Sequence, residues 1–489
     1  MKWFTWTDYL MNLPQQLKPE NVTYIGHIPV AKLVERRKPI CDPLLNIITP
    51  WRQDTFASSK WTREAYKKAF EKFHYGEAKP FSELDQELVK LADAMVLKEH
   101  SYMEGTRLTP IYNTQKNVES TPAFPKFQLY QTEAEYLAEN GWQEYLNIFE
   151  DYTKNDVLWW CFLKNEILKK HKIEQNDIRM ILCTDPVFTR LGAFFEQHQN
   201  TLMKEKTHTH KAQVGWTPFF GGLNERLTRL EKKGNAFLEL DWTRFDGTIP
   251  AELFIRIKKI RFFFLEPRAQ NFKDIHEWYV KNLVKKNILL PTGDVVRVEK
   301  GNPSGQFSTT VDNNFINVWL TSYEFGYLYK EQHGRAPTVK ELSDNVDYLC
   351  YGDDRLLAYK ETFVNYDTQK VIQMYKEHFG MWVKPENIKL SNTLEGLSFC
   401  GFTFSRKNGK WIGVPNVDKI LTSLSDPVAR LPDLQSLWGK LISLRILCEH
   451  AEQPVKDYLN TQISRVEAFA RTEGLELPKV RPDFFSNVW

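Results

Sequence analysis

Four aspartates in this sequence have the type and spacing to work on phosphates. Asp353 and Asp354 lie in Tyr351-Gly352-Asp353-Asp354, between two apolar runs spanning 346–359. Asp241 and Asp246 belong to a much earlier segment, Asp241-Trp242-Thr243-Arg244-Phe245-Asp246. Magnesium takes a few carboxylates and completes its shell with phosphate oxygens and water. Two such ions about 4 Å apart serve nucleotidyl transfer, one activating the attacking hydroxyl and one clamping the triphosphate. Asp241, Asp353 and Asp354 are the candidate ligands, if the two segments lie side by side in one sheet. Asp246 is the candidate acceptor for a ribose 2′-OH, the group that separates RNA precursors from DNA precursors. Singly each piece is weak, because a strand-terminal aspartate more often caps a helix and Gly-Asp-Asp occurs by chance. The ordered set carries the argument.

A second group supports the first. Ser304-Gly305 precedes a helical pattern in which Thr309 and Asn313 stand four apart, hence on one face. A flexible glycine-bearing loop can reshape around a nucleotide, and Thr309 and Asn313 can hydrogen-bond Asp246 or the ribose. Alone, these residues read more simply as an N-capped helix with a polar surface stripe. Arg256, Lys258, Lys259 and Arg261 form a basic helical face, either a solvated surface or the lining of an RNA path.

The elements that must position these residues are partly legible. Ala236, Leu238 and Leu240 alternate with Phe237, Glu239 and Asp241, the period of a strand with one buried face. Thr248 and Pro250 suggest the cap and first-turn proline of a helix reaching about Leu265. Ile288 to Val298 has the pattern of a hairpin, and a long helix is expected from Gln306 to about Tyr329. Gly352-Asp353 suits a two-residue hairpin turn, with glycine taking the positive φ of type II′. Residues 130–175 read as helix, and the pattern is helical again from beyond Val414 to about Gly474.

At 489 residues the chain is too long for one core, and roughly two to four domains are expected. Hydrophobic residues at 42% and charged residues at 26% exclude a disordered or fibrous protein. The net charge of +3 is neutral on nucleic-acid binding, which local clusters decide. Six scattered cysteines without a C-x-x-C pair argue against a zinc ribbon and a disulfide framework, and suit a reducing compartment. Met1 to Asp8 lacks a secretory apolar run. The densest apolar stretch, Ile260 to Leu265, is far shorter than the roughly 20 residues that span a bilayer.

In order and separation, Asp241…Asp246, Ser304-Gly305…Thr309…Asn313 and Tyr351-Gly352-Asp353-Asp354 resemble motifs A, B and C of positive-strand RNA virus RNA-dependent RNA polymerases, in the picornavirus-like group. Lys164-Asn165-Glu166-Ile167, continuing through Lys172 to Arg179, resembles the basic motif F. That likeness implies that Lys164, Lys172 and Arg179 contact the triphosphate. The family's arginine between the two lysines is replaced here by Leu168-Lys169-Lys170. Phe379 to Lys389 is similar to motif D, whose lysine protonates the pyrophosphate leaving group, with Lys389 as the candidate and Lys384 as its rival. Phe399-Cys400-Gly401-Phe402 resembles motif E, which supports a primer's 3′ end. Ser120-Thr121, followed by Pro122-Ala123-Phe124-Pro125, resembles motif G at the template entrance. The finer wording around motifs A, C and D is most similar to astrovirus polymerases.

The resemblance implies an α+β, right-hand polymerase with an antiparallel palm sheet flanked by helices. Fingers are expected at 1–235 with an insertion at 267–299, palm at 236–266 and 300–405, and thumb at 406–489. It also implies two Mg²⁺ ions, with Mn²⁺ able to substitute. The implied partners are RNA template, nascent RNA, NTPs, a genome-linked protein primer and other viral replication proteins. The setting would be replication complexes in the host cytoplasm, without direct membrane insertion. A thumb of only about 85 residues would leave room for a primed duplex, which favours protein priming over unprimed initiation. The rival readings are a reverse transcriptase, which places an aromatic gate where Asp246 stands, a two-metal nuclease and a non-catalytic RNA-binding protein.

Overall fold

The alternation that begins at Ala236 becomes strand β1 (Ala236–Thr243). With β2 (Val346–Tyr351), β3 (Asp354–Tyr359) and β4 (Trp382–Ser391) it forms an antiparallel sheet in the order β4-β1-β3-β2. A computed structural model describes residues 22–30 and 39–489, so the Met1 to Asp8 stretch lies outside the described residues. Tyr351 pairs with Asp354, which leaves Gly352-Asp353 as the two-residue turn. Gly352 has φ +60° and Asp353 is not among the positive-φ residues, the pattern of the expected type II′ turn.

Both faces of this sheet are covered, where the alternation suggested only one. Ala236, Leu238, Leu240 and Trp242 join the main apolar cluster, whereas Phe237 packs on the other face with Leu223, Leu227 and Leu230. Those leucines come from helix α1 (Gly222–Lys233). Along β1 the second face therefore changes from buried Phe237 to Glu239 and exposed Asp241, and the acids emerge at the strand's end. The first face is backed by α2 (Ala251–Phe263), α3 (Thr309–His333) and α4 (Thr368–Phe379). Pro250 occupies the N-cap of α2 itself. Thr248 caps nothing there, because its hydroxyl donates to Phe245 O at 3.1 Å inside the preceding turn.

The basic face of α2 is only partly a surface. Lys258 and Arg261 are fully buried. Lys258 Nζ lies 2.9 Å from Glu196 and 2.5 Å from Asp312, and Arg261 lies 2.7 Å from Asp312. These charges line no RNA path; they bolt α2 to α3. Burial without such pairing would be prohibitive.

The helical reading of 130–175 holds at its start and again in the short helix Lys170–Glu174, and fails between them. Helices span Glu133–Asn140 and Gln143–Asp151, then the chain turns into strands Leu158–Leu163 and Ile167–Lys169. Leu-Trp-Trp-Cys-Phe-Leu pairs with neighbours on both edges in a five-stranded sheet and is buried nearly throughout. A strand buried on both faces shows no alternation to read. The same sheet contains the expected hairpin as Lys286–Leu289 and Asp294–Val298. Toward the C-terminus a three-stranded sheet (Ser398–Phe399, Phe402–Lys407, Lys410–Pro415) precedes helices Leu434–Leu447 and Gln453–Thr472. Ile48, far away in sequence, shares the apolar cluster of those helices. Among the described residues no helix is long and apolar enough to cross a membrane.

Candidate active site

The antiparallel register sets Leu356 opposite Glu239, and continuing it along both strands brings Asp354 level with Asp241. The acids feel one another. Asp353 is pushed up to about 8, first by burial and then by Asp246, Asp241 and Asp354. Asp354 rises to about 6 through burial, with Asp241 and Glu239 adding to the rise against a hydrogen bond from Cys400. Partial desolvation also raises Asp241, where Lys172 pulls the other way. Two distant segments thus deliver their carboxylates to one basin of like charge. Among the described residues no three His, Cys, Asp or Glu side chains are close enough to form a ready-made metal cage.

Side chains from two directions hold these acids. Asn317 Nδ2 donates to Gly352 O at 2.9 Å, and Gly352 N donates to Asn314 Oδ1 at 3.1 Å, so α3 grips the turn that carries Asp353. Sequence reading missed both asparagines; their only signal is amides in an otherwise apolar stretch, Asn314 directly after Asn313 and Asn317 one turn beyond it. Cys400 N donates to Asp354 Oδ2 at 2.7 Å. Cys400 and Gly401 have φ +51° and +81°, the paired positive angles of a type I′ turn between Phe399 and Phe402. Phe399 is buried against Trp216, with ring centroids 5.6 Å apart.

Asp246 and Asn313 meet as expected: Asn313 Nδ2 donates to Asp246 Oδ1 at 2.7 Å, and Asn302 Nδ2 donates to Asn313 Oδ1 at 2.9 Å. Thr309 does not join them. Its hydroxyl donates to Pro303 O at 2.8 Å, satisfying a carbonyl of the loop before its helix. Ser304 accepts from Leu182 N and donates to Met180 O, both at 3.3 Å. A Cβ at Gly305 would lie 2.0 Å from Leu182 O. The glycine therefore permits a close backbone approach to the Met180–Cys183 strand, and the loop is docked there.

Two of the motif F cations, Arg179 and Lys172, face the acids. Arg179 Nε donates to Glu166 Oε1 at 2.8 Å, and its guanidinium also stands in the fields of Asp353 and Asp246. Lys164 Nζ lies 3.9 Å from Glu166, and Lys172 acts on Asp241. Lys389 pairs in register with Glu239, and its Nζ is 4.0 Å from that carboxylate, one strand away from Asp241. Lys384 instead lies 4.8 Å over the Trp382 ring. Ser120 donates to Asn117 O at 2.7 Å, and Thr121 accepts from Ala123 N at 3.3 Å, so their hydrogen bonds serve their own loop and do not reach the acids. Beside motif A opens a cavity of about 720 Å³, lined by residues including Lys68, Lys72, Arg244, Tyr75 and Trp382. Lys72, which sequence reading also missed, places a cation in the field of Asp246.

Comparison with known proteins agrees with this geometry. The pattern of the family described as viral RNA-dependent RNA polymerase matches residues 15–463. Non-structural polyprotein 1AB of Turkey astrovirus 2 is 58% identical over 498 residues, covering 100% of this chain and 30% of the polyprotein. The same polyprotein of Avian nephritis virus 1 is 54% identical over 492 residues, with 100% and 32% covered. That of Human astrovirus-5 is 42% identical over 468 residues, with 94% and 32% covered. The chain thus spans about a third of the length of the curated relatives it matches. Both the broad likeness read from motifs A to C and the narrower astrovirus likeness hold. With that match running through every element that carries the acids, this chain belongs to the viral RNA-dependent RNA polymerase family.

Proposed function

We propose that the chain extends an RNA 3′ end from NTPs under the direction of an RNA template, using a pair of divalent metal ions. The observation that carries this is the strand register that brings Asp354 level with Asp241, beside the turn that carries Asp353, so that Asp241 raises the pKa of both hairpin aspartates. Such a cluster fits a divalent cation, which relieves the repulsion. A few carboxylates suit Mg²⁺ in particular, because that ion completes its shell with phosphate oxygens and water. Bound there, two Mg²⁺ ions, or Mn²⁺ in their place, supply activation of the attacking hydroxyl and charge compensation on the triphosphate.

The protein's own groups do the rest. Asp241 and Asp353 hold the metals, and Asp354 supports them from its bond to Cys400 N. Lys164, Lys172 and Arg179 neutralise the triphosphate, and Asp246, oriented by Asn313, accepts a hydrogen bond from the incoming 2′-OH. Lys389, with Lys384 as rival, donates a proton to the departing pyrophosphate. Ser304, Gly305 and Thr309 shape the loop beneath the ribose. The Phe399-Cys400-Gly401 turn supports the primer terminus, and Ser120 and Thr121 guide the template.

This reading assigns fingers to 1–235 and 267–299, palm to 236–266 and 300–405, and thumb to 406–489. It places the enzyme in cytoplasmic replication complexes with other viral proteins, primed by a small nucleotide-linked protein. Efficient initiation on a linear template without any primer would overturn that priming mode. The test of the core proposal is primer extension on RNA with Mg²⁺. Asp353→Asn should lower extension by roughly a hundredfold or more. Undiminished extension by Asp353→Asn would refute it, as would degradation of the template by the wild type.

A further inference from the structure

We infer that Lys72 is a positioning residue for Asp246, a half-buried cation beside motif A that sets how well the site tells a ribonucleotide from a deoxyribonucleotide. The inference rests on reading Asp246 as the acceptor for the ribose 2′-OH.

Lys72 lies in a short 3-10 turn, Phe70–Phe73, remote in sequence from every motif. Its aliphatic stem runs directly beneath Gly247, the neighbour of Asp246. A Cβ on Gly247 would fall 2.4 Å from Lys72 Cγ and 2.6 Å from Cδ. The glycine after Asp246 is thus what admits the lysine, and the two segments are built around each other. The ammonium lies 5.1 Å from the Phe73 ring centroid, and Phe73 in turn lies beneath Gly301, where the motif B loop begins.

The charges around the pair explain why a cation belongs there. Asp246 has one oxygen on Asn313, and it faces a same-sign neighbour in Asp353. Burial pushes its carboxyl up, toward the protonated form, and Lys72 leads the groups that oppose this, ahead of Asn313 and Arg179. Lys72 itself is desolvated and stands near Arg179, Arg244 and Lys286, which all repel it, so Asp246 is the charge that favours its presence. A carboxylate that must accept a hydrogen bond from a hydroxyl has to remain an acceptor and keep its orientation. Lys72 meets both needs through the field, with Asn313 as the direct partner.

Lys72→Met keeps the stem under Gly247 and removes only the charge, whereas Lys72→Arg restores the charge. The experiment compares steady-state incorporation of ATP and dATP on a primed RNA template by wild type, Lys72→Met, Lys72→Arg and Asp246→Asn. Lys72→Met should lower the ratio of kcat/KM for ATP over dATP by on the order of tenfold, through a higher KM for ATP, with dATP kinetics unchanged. Lys72→Arg should recover most of the ratio. An unchanged ratio in Lys72→Met, or an equal loss for both nucleotides, overturns the role given to Lys72. If Asp246→Asn leaves the ratio at the wild-type value, the reading of Asp246 itself fails, which the Lys72 variants alone would not reveal.

Discussion

Asp353 concentrates the site's electrostatic cost. Its folded pKa of about 8 stands far above the ordinary 3.8. A carboxyl raised in this way contributes most stability below its unfolded value and loses that contribution as pH rises from about 4 toward 8. Metal-free Asp353→Asn should therefore melt above wild type by on the order of 2 °C at pH 8, with the gap narrowing toward pH 5. Adding Mg²⁺ should stabilise wild type and not the variant. Thermal melts in chelator and in Mg²⁺ measure both effects. A variant that melts below wild type at pH 8 would show that the aspartate is not held against its neighbours' repulsion.

At the scale of elements, α3 organises the site. It grips the hairpin turn through Asn314 and Asn317, orients Asp246 through Asn313, and is anchored to α2 by buried charges. These roles separate by mutation. Asn317→Ala frees one side of the turn and should cost about 1 kcal/mol of stability. It should also lower kcat by roughly tenfold with little change in the KM for NTP, because a displaced Asp353 affects the reacting geometry more than nucleotide capture. Equal kcat in Asn317→Ala and wild type would sink the gripping role. Lys258→Met acts elsewhere, leaving Asp312 and Glu196 under-compensated in the interior. A loss of about 3–5 kcal/mol is expected, read as a lowered denaturation midpoint.

On the scale of the whole molecule, a segment near the start of the chain closes onto the C-terminal helices. Thr49 N donates to Gln462 Oε1 at 2.8 Å, and Trp51 Nε1 donates to Asp418 Oδ1 at 3.1 Å. Ser58 donates to Asp426 from N at 2.7 Å and from Oγ at 2.9 Å. The same segment continues into the Phe56–Ser58 strand, which pairs with Ile167–Lys169 inside motif F. One continuous stretch therefore ties the strand between Lys164 and Lys172 to the C-terminal helices. Asp426→Ala should increase proteolysis within residues 42–58 and shorten the products made per binding event, while single-nucleotide addition stays near wild type. Unaltered product length would mean that the tie does not hold the polymerase closed around RNA.

What the sequence determined by itself was local. The β1 alternation, the type II′ turn at Gly352-Asp353, the hairpin near 288–298 and the helix following Gly305 are set by period, by glycine and by neighbours within a few residues. Asp246 and Asn313 were legible because two ordered motifs each supplied one half of a polar pair. Other features depended on partners hundreds of residues away. The 158–163 strand lost its period by being covered on both faces. Lys258 and Arg261 looked like surface until Glu196 and Asp312 arrived to neutralise them. Ser304 and Gly305 were taken up by a neighbouring strand, Thr309 by its own loop, and Lys72 reached motif A from a turn near the start of the chain. Burial, charge compensation and close backbone approach are properties of pairs, and the tertiary structure alone decided which pairs form.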